Sequence, residues 1–283
     1  MARALQGQAA MMLAPQAAPS TAPADPFRQS FAEDGFLVWR DVVPREQLGE
    51  LHRRLQVEFE KARLGGTLFE GGGTVAGHLN CAPGEAARFA YHRLLEAGII
   101  DVIRALSPEP LRLPNVGCNF NLPGSVVQHW HMDRPYTRSF LIANVAVVDT
   151  DLENGAIEVM PGSHRRYYPY WQLALERAAL HLPSRRVPLR RGDVLVRTSS
   201  LWHRGMPNRT QAARPMLAFT WEDGGSTEAD PFRANGGQIV FRQNWYRSDL
   251  LGRLRERIHV AAPFTYEAYR FARSLVGTKG YDH

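Results

Sequence analysis

The amino-acid sequence predicts a mainly β protein, a cupin-like jelly roll with helices before and after its β core. Between about residues 111 and 221, short β-type runs alternate with turn-forming pairs such as Asn154-Gly155 and Pro161-Gly162. Apolar residues at helical spacing flank this region on both sides. The 283 residues are enough to bury one such core without disulfides. We therefore expect one domain over residues 26–283, preceded by a disordered tail over residues 1–25.

The chain before the β core is predicted to be mostly helical. Gly35 ends a first short helix, Pro44 opens a second, amphipathic helix that Gly65 ends, and Pro108 closes a third. The predicted elements are helices over residues 27–34, 45–64 and about 85–107, a strand over residues 36–43, and a glycine-rich surface loop over residues 66–84.

The core itself is predicted as a series of short strands bounded by turn residues. They cover residues 111–121, 125–131, 139–148, 156–160, 186–189, 193–198 and 214–221. Beyond the core, residues 244–276 return to helical spacing, and we expect this region to pack back on the sheets.

Composition and charge narrow the classes of function. The net charge is +6, but lysine occurs only at Lys61 and Lys279 and the arginines are spread along the chain, so no nucleic-acid-binding arm is indicated. An anionic small substrate suits this balance better. No apolar run approaches the roughly 18 residues of a membrane helix. Cys81 and Cys118 give no disulfide framework, so we expect a reducing, cytoplasmic setting.

A histidine and an aspartate two residues apart point to a metal site. His131 and Asp133 end a predicted strand, and residues at i and i+2 of a strand point to the same side, where they suit two adjacent ligands. His203 ends another β-type run and is the best candidate for the third ligand. Two imidazoles and one carboxylate form the facial triad of non-haem Fe(II) oxygenases. A closed zinc site would need a fourth ligand, often cysteine, and neither cysteine lies in these motifs.

Arg214 is the candidate for an anion site in the core. It begins a predicted strand 11 residues after His203. A guanidinium inside a β sandwich needs an anion, because an unpaired buried charge is prohibitive. Its planar fork fits a carboxylate, so we expect Arg214 to hold the far end of a dicarboxylate cosubstrate that the metal holds at the near end.

These motifs resemble the phytanoyl-CoA dioxygenase family of Fe(II)- and 2-oxoglutarate-dependent oxygenases. The resemblance covers about residues 31–220, from the opening Phe-Ala-Glu-Asp-Gly-Phe-Leu-Val at 31–38 to the spacing between His203 and Arg214. Its most specific part is Glu-Asn-Gly-Ala-Ile-Glu-Val-Met-Pro-Gly-Ser-His at 153–164. Segments 121–125 and 201–208 look most like antibiotic-tailoring members such as kanamycin B dioxygenase.

The resemblance implies a double-stranded β-helix with Fe(II) at its open end, held by His131, Asp133 and His203. It also implies 2-oxoglutarate and O2 as cosubstrates, with Arg214 on the far carboxylate of 2-oxoglutarate. The expected activity is hydroxylation or oxidation of an unactivated C–H bond in a small molecule. An anionic compound or a natural-product intermediate of bacterial metabolism is the expected substrate, with neither nucleic acid nor membrane as a partner.

Further positions flank the ligand strands. Gln128 and Asn144 are expected to contact 2-oxoglutarate, although an ordinary strand glutamine and an amide that ties two strands together explain them equally well. Four residues are candidates for lining the substrate pocket, or alternatively for the core: Trp130, Arg134, Tyr136 and Trp221.

Other interpretations stay open beside the dioxygenase. A cupin-like isomerase or hydrolase that uses zinc would need no carboxylate clamp at Arg214. A non-catalytic binding protein on the same fold would have no need of intact His131, Asp133 and His203. A halogenase is disfavoured, since its coordinating carboxylate must be vacated for chloride and Asp133 is present.

Overall fold

The computed structural model describes residues 26–65, 73–107, 109–178, 183–242 and 249–277, and the tail predicted over residues 1–25 lies outside them. The described strands are β1 (Phe36–Trp39), β2 (His78–Ala82), β3 (Asn115–Asn121), β4 (Leu141–Ala146), β5 (Glu158–Val159), β6 (Arg185–Arg186), β7 (Val194–Thr198), β8 (His203–Arg204), β9 (Arg214–Thr220) and β10 (Val240–Arg242). The larger sheet has the order β1-β7-β4-β9-β3-β2-β10, and the smaller sheet has the order β6-β5-β8. Every pairing is antiparallel.

The connections show how the two sheets are wound. From β4 onward the chain passes to β5 and β6 in the smaller sheet, returns to β7, crosses to β8 and returns to β9. This alternation between two sheets is the winding of a double-stranded β-helix, and it confirms the predicted jelly roll.

Helices cover one face of the larger sheet. In chain order the described α-helices are α1 (Pro26–Asp34), α2 (Arg45–Leu64), α3 (Arg88–Glu96), α4 (Ile99–Leu106), α5 (Tyr170–Ala178), α6 (Leu250–Ala261) and α7 (Pro263–Leu275). Leu48, Leu51 and Leu55 of α2 are at most 1 % exposed, as their spacing predicts. They share an apolar cluster with Leu217 and Phe219 of β9. Within the described residues no helix is long and apolar enough to cross a membrane.

The opposite face of the larger sheet packs on the smaller sheet. Val159 of β5, Leu195 of β7 and Met216 of β9 form an apolar cluster between the sheets. Because side chains alternate along a strand, Arg214, Met216, Ala218 and Thr220 of β9 line a cavity on this inner side, whereas Leu217 and Phe219 face the helices. The alternation therefore places the polar members of β9 where a ligand can reach them.

Two long helices predicted from the sequence are each broken in the structure. The stretch 85–107 consists of a 3-10 turn (Gly84–Ala87), α3 and α4, because Gly98 adopts a positive φ of 70°. The described part of the stretch 244–276 is divided into α6 and α7. Pro263 causes this second break, since it donates no N–H and moves Ala262 out of the helical region (φ −141°, ψ 66°).

Strand boundaries also differ from the predictions. The strand predicted over residues 36–43 ends at Trp39, because Asp41 adopts a positive φ of 54°. The loop predicted over residues 66–84 contains β2 in its described part. The prediction of a strand over residues 125–131 is wrong. Gln128 bonds to Gly205 and His131 bonds to His203, so two residues between these bonds, His129 and Trp130, lie opposite one, Arg204, and the ladder is interrupted.

Candidate metal centre

A short antiparallel bridge brings His131 and His203 together. The backbone N–H of each histidine donates to the carbonyl of the other at 3.0 Å. The centroids of the two rings lie 4.4 Å apart. His203 begins β8, and His131 lies in the extended segment beside it. The interrupted ladder thus serves to set two imidazoles side by side.

Asp133 completes the cluster. Its Oδ1 lies 3.6 Å from Nε2 of His203 and 4.0 Å from Nε2 of His131. One ligand atom from each residue lies within 4.8 Å of the other two. The backbone N–H of Asp133 donates to the carbonyl of Ser199 at 3.0 Å, which ties this turn to the end of β7. The structure therefore brings together the three residues that the sequence indicates as ligands.

Both imidazoles are oriented to bind a metal through Nε2. Nδ1 of His131 lies 2.8 Å from the carbonyl oxygen of His129, and Nδ1 of His203 lies 2.9 Å from that of Leu201. A carbonyl only accepts, so each Nδ1 carries the proton and each Nε2 presents its lone pair. Two such nitrogens and one carboxylate, with no fourth protein ligand in the described cluster, fit Fe(II) in a facial triad.

The electrostatics of Asp133 suit the same task. Burial alone would raise the pKa of its carboxyl, but the positive charge of the Arg197 guanidinium holds that pKa well below its usual range. Nη1 of Arg197 donates to Oδ2 of Asp133 at 2.6 Å. The carboxylate is therefore ionised at neutral pH, as a metal ligand must be.

The ligand cluster opens into a cavity of about 680 Å³, which Arg214 also lines. A volume in this range accommodates a small substrate together with a cosubstrate. Arg214 is only 6 % exposed, and its Nη2 donates to the carbonyl of Gly155 at 3.1 Å. Burial lowers the pKa of Arg214 to about 10. No carboxylate among the described residues pairs with it, so Arg214 is a buried cation without an anion.

Gln128 and Asn144 line the same cavity. Oε1 of Gln128 accepts from the backbone N–H of Gly205 at 2.7 Å, which leaves the Nε2 donors of Gln128 for the cavity. Asn144 is 4 % exposed, and its Nδ2 donates to the carbonyl of Leu217 at 3.3 Å. Asn144 thus ties β4 to β9 and also borders the cavity, and its contact with 2-oxoglutarate stays a prediction.

Arg134 and Trp130 have different surroundings. Arg134 lines the cavity and forms an ion pair with Glu222, which lines it as well. Trp130 does not line the cavity: it is fully buried, and the guanidinium groups of Arg177 and Arg204 lie over its ring. The structure gives Trp130 a place in the core, the alternative that its aromatic character left open.

Tyr136 and Trp221 line a second cavity of about 470 Å³ rather than the first. Phe140 lines both cavities and stands between them. Trp221 is 2 % exposed, and its Nε1 donates to the carbonyl of Arg112 at 3.2 Å. Neither aromatic residue lines the cavity of the metal-ligand candidates, and a contact of either with substrate stays a prediction.

Sequence reasoning missed several polar residues that surround Arg214. His78, Asn121 and Arg214 lie side by side across β2, β3 and β9, because their Cα positions are partners in register. Burial, opposed by a hydrogen bond to the carbonyl of Val126 and aided by nearby Arg214, lowers the pKa of His78 to about 4. Oδ1 of Asn121 is buried and has no partner among the described residues. Only the pairing of β2 with β3, which the sequence did not indicate, reveals this row.

A family comparison agrees with this geometry. The sequence profile described as phytanoyl-CoA dioxygenase matches residues 31–216, more than half of the chain. The chain belongs to the phytanoyl-CoA dioxygenase family. This membership confirms the resemblance drawn from the motifs.

Individual relatives of this phytanoyl-CoA dioxygenase family member are distant. A probable alpha-ketoglutarate-dependent hypophosphite dioxygenase of Stutzerimonas stutzeri is 35% identical over 71 residues, 24% of this chain and 25% of the relative. A methylphosphonate hydroxylase of Gimesia maris is 30% identical over 134 residues, 45% of this chain and 52% of the relative. The chain thus spans between a quarter and about half of these curated relatives.

Solved structures show the fold. HygX of Streptomyces hygroscopicus, determined with nickel and 2-oxoglutarate bound, matches 80% of this chain and 90% of its own, with a TM-score of 0.52 and 18% identity. SnoK, a non-heme alpha-ketoglutarate-dependent carbocyclase from nogalamycin biosynthesis, matches 68% of this chain and 81% of its own, with a TM-score of 0.51 and 18% identity. Both similarities support the double-stranded β-helix.

Proposed function

We propose that this family member is an Fe(II)- and 2-oxoglutarate-dependent dioxygenase that hydroxylates or otherwise oxidises a C–H bond of a small molecule. The observation that carries the proposal is one cavity that holds both the cluster of His131, Asp133 and His203 and Arg214, which pairs with no carboxylate among the described residues. Fe(II), 2-oxoglutarate and O2 supply the oxidative chemistry when bound. A zinc isomerase or hydrolase on this fold would have no use for the buried cation at Arg214.

The residues of the cavity divide the work of binding. His131, Asp133 and His203 hold the metal. Arg214 takes the far carboxylate of 2-oxoglutarate in its planar fork, and this anion offsets the cost of a buried guanidinium. The hydrogen bond from Gly205 to Oε1 orients the Gln128 side chain, and its Nε2 donates to the cosubstrate. Each of these side chains is held before any ligand arrives, Asp133 by Arg197 and the others by backbone groups, so little ordering remains to be done on binding.

Charge balance in the cavity favours a neutral or anionic substrate. Arg134 pairs with Glu222 and Arg197 pairs with Asp133, which leaves Arg214 as the unmatched charge among the described residues of the lining. A divalent metal and the 2-oxoglutarate dianion cancel each other. One positive charge then remains, and it opposes a cationic substrate while it attracts an anionic one.

The relatives support the same class of substrate. The hypophosphite dioxygenase and the methylphosphonate hydroxylase are named for small phosphorus oxyanions. SnoK is named for a role in nogalamycin biosynthesis, which supports a place in bacterial natural-product metabolism. We propose a small anionic metabolite or an anionic natural-product intermediate as the substrate.

The first experiment tests metal and cosubstrate binding. Anaerobic addition of Fe(II) and 2-oxoglutarate to the wild type should produce a weak visible charge-transfer band, because an open facial triad accepts a chelating cosubstrate. Replacement of His131, Asp133 or His203 by alanine should abolish the band. His92→Ala, on the exposed side of α3, is the matched control and should retain it. Tight zinc binding with no response to 2-oxoglutarate would instead support the cupin-like isomerase or hydrolase.

The second experiment tests substrate class. Succinate formation from 2-oxoglutarate should rise above the uncoupled rate with small phosphonates and carboxylates, methylphosphonate among them. Amines of similar size should not stimulate it. Stimulation by polyamines or aminoglycosides alone would contradict the charge argument and leave the oxygenase assignment intact.

A further inference from the structure

Arg197 breaks the apolar pattern of β7 directly beside the metal-ligand candidates. Along this strand every residue is buried, and the Arg197 side chain is only 7 % exposed. Its position alternates with Val194 and Val196, which face the helices, and matches Leu195, which faces the smaller sheet. An apolar side chain would fill this place at no desolvation cost. A buried guanidinium here therefore calls for an explanation other than stability.

Among the described residues, the Arg197 side chain donates its hydrogen bonding to Asp133 alone. Nη1 of Arg197 donates to Oδ2 of Asp133 at 2.6 Å, and Nε of Arg197 is buried with no partner among the described residues. The two oxygens of the carboxylate consequently face different groups. Oδ1 faces Nε2 of His203 at 3.6 Å and Nε2 of His131 at 4.0 Å, while Oδ2 is held by Arg197.

We propose that Arg197 is a positioning residue that keeps Asp133 a one-oxygen ligand of the metal. The inference rests on the proposed function. A facial triad that uses three ligand atoms leaves three positions of an octahedron open. A chelating 2-oxoglutarate occupies two of them. If Asp133 also bound through Oδ2, it would occupy the third and leave none for exchange with solvent or O2. By engaging Oδ2 in a charged hydrogen bond, Arg197 keeps that position open.

The test counts exchangeable water on a metal bound to the protein. Mn(II) replaces Fe(II), saturating 2-oxoglutarate is added, and the enhancement of water-proton relaxation is measured for the wild type, Arg197→Met and Arg197→Lys. Methionine fills the space without a donor, whereas the lysine ammonium donates to Oδ2 as a point charge. Arg134→Met is the matched control, since Arg134 lines the same cavity but pairs with Glu222 instead.

We expect the wild type and Arg134→Met to retain one exchangeable water on Mn(II) in the presence of 2-oxoglutarate. Arg197→Met should lose it while binding Mn(II) within about tenfold of the wild type. Arg197→Lys should recover it. A residue with a merely structural role would change stability and leave the water count unaltered. Wild-type relaxation in Arg197→Met, with normal 2-oxoglutarate affinity, would overturn this inference alone.

A crystal structure of the wild type with Mn(II) and 2-oxoglutarate provides a measurement that depends on no variant. Asp133 should contact the metal through Oδ1 only, with Oδ2 on Arg197. Both oxygens on the metal would overturn the inference even if Arg197→Met fails to fold. Failure of the metal-loaded wild type to bind 2-oxoglutarate would overturn the proposed function, and this inference with it.

Discussion

Arg214→Met removes a buried cation that has no carboxylate partner among the described residues and replaces it with an unbranched side chain of similar length. The structure predicts opposite effects on two properties. The affinity for 2-oxoglutarate should fall, because the anion loses its fork. The unliganded protein should become more stable, because a buried charge without a counter-ion disappears.

The size of each effect follows from the surroundings of Arg214. One or two charged hydrogen bonds to the far carboxylate contribute about 1.5–3 kcal/mol each. The loss of one should raise the Kd for 2-oxoglutarate on the order of ten- to a hundredfold, and the loss of both on the order of a thousandfold or more. Burial lowers the pKa of Arg214 to about 10, which corresponds to a penalty of about 3 kcal/mol on the charged form. Loss of the bond to Gly155 offsets about 1 kcal/mol of the gain, so roughly 2 kcal/mol of extra stability remains.

The sign of the pH dependence follows from the direction of the pKa change. The pKa of Arg214 is lower in the folded than in the unfolded protein, so the folded state disfavours the protonated form. The penalty is complete at neutral pH and disappears only as the pH rises through about 10 towards the higher pKa of the unfolded chain. A gain in stability from Arg214→Met should therefore be seen in full at pH 7.

Thermal unfolding at pH 7, with and without Fe(II) and 2-oxoglutarate under anaerobic conditions, measures both properties. The Tm of unliganded Arg214→Met should rise by several degrees, while its increase on addition of 2-oxoglutarate should shrink or vanish. Arg214→Lys should recover part of the affinity, because an ammonium cannot reproduce the planar fork. Arg134→Met, in the same cavity, should keep the wild-type response. An unchanged affinity in Arg214→Met would refute the clamp.

Three further predictions concern the scaffold. Gly155→Ala should destabilise the protein by about 1–3 kcal/mol in urea unfolding, because Gly155 has a φ of 91° and a new Cβ would lie 2.5 Å from the carbonyl oxygen of Met206. Gly124 has a φ of 74° and no atom within 4 Å of a new Cβ, so Gly124→Ala should show only the cost of the backbone strain. Asp193→Asn should lower the free energy of unfolding by about 1–3 kcal/mol at pH 7. Because the pKa of Asp193 is lowered in the folded protein, the difference in stability between wild type and variant should narrow as the pH falls below about 4. A difference that stays constant with pH would contradict an ionic role for Asp193. Glu256→Gln should speed hydrogen exchange of the amides at 73–76, because Oε1 of Glu256 accepts hydrogen bonds from three backbone N–H groups there at 2.9–3.0 Å. Unchanged exchange rates in the variant would show that the carboxylate does not hold this segment.

The metal cluster could be predicted because the signals for its ligands lie within short segments of the sequence. The spacing of His131 and Asp133 places two ligands on one side of an extended segment, and this holds although the regular strand predicted there does not form. His203 and Arg214 follow at the ends of strands that apolar alternation marks clearly. The position of a metal ligand at the end of a strand can therefore be predicted correctly even when the predicted length of that strand is wrong.

Residues whose role depends on strand pairing could not be predicted in this way. His78 lies in a stretch whose glycines indicate a loop, yet it pairs in register with Asn121, which in turn pairs with Arg214. Arg197 stands in an apolar run with no sign that its neighbour in space is Asp133, 64 residues away in the chain. Spacing within one segment carries no information about such partners. Pro263, by contrast, is a local signal from which the break between α6 and α7 can be predicted.

Arg197 and Arg214, the buried arginines among the described residues of the cavity lining, differ in a way that orders the events at this site. Arg197 already has its carboxylate, so the metal cluster is electrostatically complete before a ligand binds. Among the described residues Arg214 has only a carbonyl as a partner, so its charge stays uncompensated there until an anion enters the cavity. Free energy stored as a buried cation is then recovered on binding, and only by a ligand whose anionic group reaches Arg214. A ligand that bound the metal but lacked the far carboxylate would recover none of it. We therefore expect the protein to distinguish a dicarboxylate from a simple 2-oxo acid through the same residue that lowers its own stability.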